Sequence, residues 1–192
     1  MKMRNSGQAY GVVSQALHWG MAIVAICLFG LGLWMTSLTY YDVWYTRGPY
    51  LHEGFGILLA AGLVFRIFWR IGSVTPDTAY LSNTERLVSL VVHWSLYTLL
   101  AVAMVSGYLI STVDGHPINV FDWFSVPSFF KAKGLEEQAG AIHFYASIIM
   151  IALAALHTLA ALKHHFLDRD QTLTRMLPFQ KTPQTTEQDT TT

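Results

Sequence analysis

Cysteine and charge are both scarce in this sequence. Cys27 is the single cysteine among 192 residues, which excludes an intrachain disulfide, a cysteine-ligated iron–sulfur cluster and a covalent CxxCH haem attachment. Charged residues make up 12% of the chain, about half the share of a typical soluble domain. The formal net charge is zero, so nothing indicates nucleic-acid binding.

Long apolar runs take the place of the missing charges. Each provides the ~20 residues needed to cross ~30 Å of hydrocarbon. They cover residues 16–38, 50–69, 87–112 and 139–162. The first run is too long for the apolar part of a cleaved signal peptide. The sequence therefore predicts an all-α integral membrane four-helix bundle formed by residues 1–177. Residues 178–192 are polar and lack apolar periodicity, which predicts a disordered C-terminal tail.

The distribution of basic residues predicts the orientation of the bundle. If both termini are cytoplasmic, most of the basic residues lie on the inner side, as the positive-inside rule requires. The inner ones are Lys2, Arg4, Arg66, Arg70, Arg86, Lys163, Arg169, Arg175 and Lys181, and the outer ones are Arg47, Lys131 and Lys133. The aromatic outer loop at 113–138 is expected to lie on the membrane surface, partly as a lid and partly as an interfacial helix.

Four histidines occupy matched depths in the predicted helices. His143 and His157 are separated by fourteen residues, or ~21 Å of helix rise, and share one face of the fourth helix. His52 lies level with His143 in the outer half, and His18 lies level with His157 in the inner half. Opposed imidazoles from different helices are the arrangement that bis-histidine ligation of haem iron needs.

Arg66 supports this interpretation because it follows His52 by fourteen residues and so faces the same way in the inner half. An arginine in an apolar helix normally pairs with a negative group, and no acidic residue is predicted at that depth. The propionates of an inner haem would supply the charge.

Other interpretations of the histidines stay open. A membrane histidine can simply be hydrogen-bonded within the bundle, and the pair His164–His165 resembles a zinc- or copper-binding tip. Transport paths for such metals usually add acidic or thiol ligands at depth, and none is predicted here. His93 could replace His18 as a ligand but is assigned beside the inner haem, and His116 is expected to be a solvated loop residue or to lie near an outer propionate.

A candidate quinone site lies at the cytoplasmic rim. His164 is nearly two turns beyond His157, and Trp19 is next to His18, so the two could form a polar and aromatic niche for a quinone headgroup. The alternative is that His164 and His165 join Lys163 as a basic anchor at the membrane surface.

Several segments together resemble the bacterial four-helix cytochrome b561 family. They are QALHWG, LHEGFGILLAAGLVFRIFWR, VVHWSLY, AIHFYAS, LHTLAALKHHF and DRDQTLTRMLP. The resemblance covers nearly the whole chain up to Pro178 and implies a bacterial inner-membrane protein that binds two non-covalent b-type haems. It places His18, His52, His143 and His157 at the ligand positions. The family is quinone-linked, and some of its members oxidise periplasmic superoxide and pass the electron to ubiquinone.

These observations predict electron transfer between a periplasmic one-electron partner, with superoxide as one candidate, and membrane quinone. The overall match favours a self-sufficient quinone-linked oxidoreductase. The alternative is a haem-bearing anchor subunit that docks a separate periplasmic redox or lipid-binding protein. The sequence leaves the donor, the direction of transfer and the oligomeric state open.

Overall fold

Four long helices make up most of the chain. The computed structural model describes residues 3–129, 131 and 134–177. The helices are α1 (Val12–Met35), α2 (Trp44–Ile71), α3 (Asn83–Thr112) and α4 (Glu136–Phe166). Two short strands, β1 (Ile118–Val120) and β2 (Phe124–Val126), lie between α3 and α4, and a 3₁₀ turn at Thr174–Met176 follows α4. The predicted all-α four-helix membrane bundle is confirmed, whereas the predicted tail at 178–192 lies outside the described residues.

All four helices are long and apolar enough to cross a membrane, with mean hydropathies of 1.7 to 2.0 over their best windows. Large apolar side chains remain exposed along them; Ile23 is 58% exposed and Ile149 is 54% exposed. In a soluble protein such a surface would be unstable, but in a bilayer it contacts lipid. The helix ends are set locally, as at α3, where Ser82 and Glu85 form a reciprocal capping box.

The helices pack as two pairs, α1 with α2 and α3 with α4. Contacts between the pairs are sparser, and α1 meets α4 at only a few positions. The interface between the pairs is therefore packed more loosely than either pair, and this interface is here called the cleft. One end of the bundle, here called the terminal end, holds the start of α1 and the end of α4. The other, the hairpin end, holds β1 and β2.

The loop at the hairpin end forms an antiparallel hairpin, with Ile118 opposite Val126. Ile118 and Val120 alternate with Asn119, and this period of two buries both apolar side chains beneath the loop, where β1 packs on α2. Among the described residues of this loop no helix precedes Glu136, so the interfacial helix expected there is not found in 113–129, 131 and 134–135.

The tip of the hairpin inserts an aromatic ring against α2. Phe121 and Asp122 have φ angles of 51° and 58°, in the left-handed region that side chains rarely adopt. This turn aims the Phe121 ring at Gly54, where an added Cβ would lie 2.8 Å from Cζ. Tyr50 donates a hydrogen bond of 3.3 Å to Asp122 Oδ2. The hairpin thus packs on α2 at Gly54, two residues after His52.

Candidate functional site

The hairpin end brings His52 of α2 and His143 of α4 together across the cleft. Their ring centroids are 5.9 Å apart and the ring planes lie at 74° to each other. Two imidazoles bonded to opposite sides of one metal ion, each at about 2 Å, have centroids about 6 Å apart. The separation between these two rings therefore suits one metal centre between them.

Both rings point one nitrogen at backbone and leave the other available. His143 Nδ1 donates to the carbonyl oxygen of Ala103 on α3 at 2.7 Å, so its Nε2 keeps the lone pair. His52 Nδ1 is buried near the carbonyl of Leu28 on α1 but does not meet hydrogen-bond geometry, which leaves it without a hydrogen-bond partner among the described residues. A buried polar nitrogen without a partner is costly, and the Leu28 carbonyl is the acceptor that lies beside this one.

Two glycines make room for these rings. A Cβ on Gly107 of α3 would lie 3.0 Å from His143 Cε1, and one on Gly32 of α1 would lie 3.2 Å from His52 Cε1. Any larger side chain would push the ring along the cleft. Each glycine lies on a different helix from the ring that it contacts, so the close approach depends on how neighbouring helices pack.

Near the terminal end, three histidine rings cluster: His18, His93 and His157. His157 of α4 lies 6.5 Å from His18 of α1 and 5.0 Å from His93 of α3, measured between ring centroids. The first separation suits a metal between the rings, while the second is about 1 Å too short. His93 Nδ1 donates to the carbonyl oxygen of Ser89 at 2.7 Å, so its Nε2 is also free to accept.

Arg66 binds His18 directly. Its Nη2 lies 3.1 Å from His18 Nδ1, and its Nε donates to the hydroxyl of Tyr97 at 2.8 Å. Because a guanidinium can only donate, His18 Nδ1 accepts here, and the proton of a neutral His18 ring is on Nε2. The contact thus holds His18 in the tautomer that cannot ligate through Nε2.

The predicted quinone residues each contact the segment that follows α4. Trp19 donates from Nε1 to the carbonyl of Met176 at 2.8 Å, and its ring lies edge-on to His18 at 5.3 Å. His164 Nδ1 lies 3.0 Å from Asp168 and 2.8 Å from Asp170. No hydrogen bond or ring contact joins Trp19 to His164 within the part of the chain that the structure describes, so the shared niche stays a prediction.

The acidic residues around His164 are already balanced by a cation. Glu85, His164 and Asp168 offer ligand atoms within 4.8 Å of one another, but Lys163 Nζ lies 2.7 Å from Asp168 and 4.0 Å from Glu85. Burial alone would raise the pKa of Asp170, yet the Thr172 backbone N–H and the nearby His164 hold that pKa below its usual range. This cluster anchors the segment after α4 more readily than it binds a metal.

The remaining predicted site residue is His116. Its side chain is 82% exposed beside Asp114, as expected of a solvated loop histidine.

The donor set fits haem. Neutral imidazoles approach from opposite sides of an apolar cleft, their Nδ1 atoms at the hairpin end are directed to backbone carbonyls, and glycines leave space beside the rings. Within the described residues no cysteine or carboxylate competes for the space between His52 and His143. A membrane four-helix bundle with such paired histidines defines the class of the b-type membrane cytochromes.

Comparison with known proteins identifies the family. A model of the prokaryotic cytochrome b561 family matches residues 9–179. The chain is 47% identical over 180 residues to "Cytochrome b561 homolog 2" of Escherichia coli (strain K12), covering 92% of this chain and 95% of that protein. It is 25% identical over 172 residues to "Probable superoxide oxidase CybB" of Yersinia pestis, covering 88% and 96%.

The chain therefore belongs to the prokaryotic cytochrome b561 family. It is a multi-pass protein of the bacterial inner membrane that binds haem b and takes part in electron transfer.

Proposed function

We propose that the chain binds two haems and transfers electrons between a periplasmic one-electron partner and membrane quinone, most simply ubiquinone. His52 and His143 hold one haem at the hairpin end, and His18 and His157 hold the other at the terminal end. The observation that carries the proposal is the pair of cross-bundle imidazole separations, 5.9 and 6.5 Å, at opposite ends of one cleft. Haem iron, when bound, supplies one-electron transfer by changing between ferric and ferrous states.

The residues of this chain set where the electrons enter and leave. His143 and His157 lie on one helix at ~21 Å of helical rise, so the two sites are stacked across the membrane. With the termini cytoplasmic, as the basic residues favour, the hairpin end is periplasmic. Phe121 covers that end and limits contact between water and His52.

The charge of the hairpin end bears on the donor. Acidic side chains outnumber basic ones among its described residues. The acidic ones are Asp42, Glu53, Asp114, Asp122, Glu136 and Glu137, and the basic ones are Arg47 and Lys131. Such a surface steers anions away. We therefore infer that the partner is neutral or cationic, although a distant relative is named as a probable superoxide oxidase.

Haem stoichiometry tests the sites. We expect two b-type haems per chain in detergent-purified protein, one after His143→Ala, and two after the matched control His116→Ala. His18→Ala should lose the terminal-end haem and His93→Ala should keep it. Retention of that haem in His18→Ala with its loss in His93→Ala would overturn the ligand assignment. No haem in the wild type after expression with ample haem would overturn the proposal.

Turnover tests the role. Protein purified alone should reduce a water-soluble ubiquinone when supplied with a small one-electron donor. Absence of turnover, together with a co-purifying periplasmic protein that restores it, would favour the anchor-subunit alternative. Quinone reduction driven by superoxide, and weakened by high salt, would overturn the inference from surface charge.

A further inference from the structure

Two arginines without acidic partners lie at the terminal end. Arg66 and Arg70 are four residues apart on α2 and therefore share a face. Both guanidinium carbons lie over the ring of Tyr97, at 5.6 and 5.8 Å from its centroid. Over residues 3–129, 131 and 134–177, no carboxylate lies within ion-pairing distance of either. Two cations near the end of a membrane helix are costly unless negatively charged groups lie beside them.

The arginines line a small open pocket, here called the arginine cleft, which reaches His18 through Arg66. Its walls also include Tyr10, Ser14 and Tyr97. Burial raises the pKa of Tyr10 in spite of the nearby Arg70, so its hydroxyl is a neutral hydrogen-bond donor at physiological pH. Hydroxyl donors and two guanidinium groups around one space form a site for carboxylate or phosphate oxygens.

We propose that Arg66 and Arg70 bind the two propionate carboxylates of the terminal-end haem in this cleft. This inference rests on the proposed function. Charge and position support this assignment: two guanidinium groups match two carboxylates, and Arg66 already touches the assigned ligand His18. The phosphate of a lipid headgroup shares the anionic chemistry and is the competing source.

The same contact makes Arg66 a positioning residue for His18. While Arg66 donates to Nδ1, the single proton of the neutral His18 ring is on Nε2. When Arg66 turns to a carboxylate, Nδ1 is released and can carry that proton, and Nε2 regains the lone pair that ligation needs. Occupation of the arginine cleft and ligation by His18 are therefore coupled.

The test compares haem b with its dimethyl ester, which lacks both carboxylates. Each is titrated into haem-free His143→Ala protein, where only the terminal-end site remains, in nanodiscs with and without anionic lipid. We expect haem b to bind about 10- to 100-fold more tightly than the ester, the range for charge-assisted hydrogen bonds. Arg66→Gln/Arg70→Gln should abolish this preference and lower the haem midpoint potential. The control Arg86→Gln, whose side chain donates to the Thr78 carbonyl, should keep both.

The outcomes separate the two proposals. If His143→Ala protein with both arginines unchanged binds haem b and the ester equally tightly, the propionate assignment is overturned while the haem site remains. A binding constant that depends on anionic lipid and not on esterification assigns the arginines to lipid phosphate and also overturns it. Failure of His143→Ala to bind any haem overturns the proposed function instead.

Discussion

Substituting Gly107 tests whether His143 is held against α3 as a ligand. An alanine Cβ would lie 3.0 Å from His143 Cε1 and 3.1 Å from Nδ1, whereas ordinary contacts begin near 3.4 Å. The ring is also bonded to the carbonyl of Ala103, one turn earlier on the same face of α3, so it cannot retreat without stretching that 2.7 Å bond. Overpacking of this kind costs about 1–3 kcal/mol, which corresponds to about 5- to 150-fold weaker haem binding at the hairpin end.

Release of haem to an excess of a haem-scavenging apoprotein measures this effect, and a reduced-minus-oxidised spectrum identifies the haem that leaves. Gly140→Ala is the matched control, since it lies three residues before His143 on α4 and a Cβ there meets no atom within 4 Å. In the control, alanine should be neutral or stabilising, because it favours a helix over glycine by about 1 kcal/mol. Two firmly held haems in Gly107→Ala, with unchanged release, would show that contact with α3 does not hold His143 in place.

Three further predictions concern stability in detergent, measured as the thermal midpoint. Gly54→Ala should displace the Phe121 ring and cost about 1–3 kcal/mol. Gly56→Ala is the control, because no atom lies within 4 Å of its Cβ. Equal midpoints for the two variants would contradict the packing of Phe121 against Gly54. Ser82→Ala removes the capping box of α3 and should cost about 1 kcal/mol of stability. An unchanged midpoint would mean that the start of α3 is already frayed. Asp170→Asn should lower the midpoint at pH 7, and this difference should shrink progressively as the pH falls below about 4 and through the lowered pKa of Asp170, because a depressed pKa stabilises the fold only while the carboxyl is charged; a pH-independent difference would contradict this.

The sequence predicted the heights of the site residues well. A rise of 1.5 Å per residue places His52 level with His143 and His18 level with His157, and the structure brings both pairs together. This calculation works because membrane helices are long, nearly straight and anchored at both ends by the bilayer, so sequence position converts directly into depth.

Lateral positions could not be predicted in the same way. Depth does not tell which helices are neighbours, so the approach of His93 to His157, closer than that of His18, was not predicted. The hydrogen bond of Arg66 to His18 was missed for a related reason: the sequence indicated that Arg66 needs a negative partner but not that a neutral imidazole lies within its reach. The short strands at 118–126 were missed because three-residue alternations are too brief to distinguish from an interfacial helix.

The packing of the bundle as two helix pairs separates insertion from assembly during biogenesis. Each pair, α1 with α2 and α3 with α4, is a hairpin that satisfies its own backbone hydrogen bonds and can enter the membrane as a unit. The cleft between the two hairpins has few contacts, and the histidine pairs lie across it. Haem bound between these imidazoles would stabilise the joined halves and not the separate hairpins, so supply of the cofactor would favour their assembly.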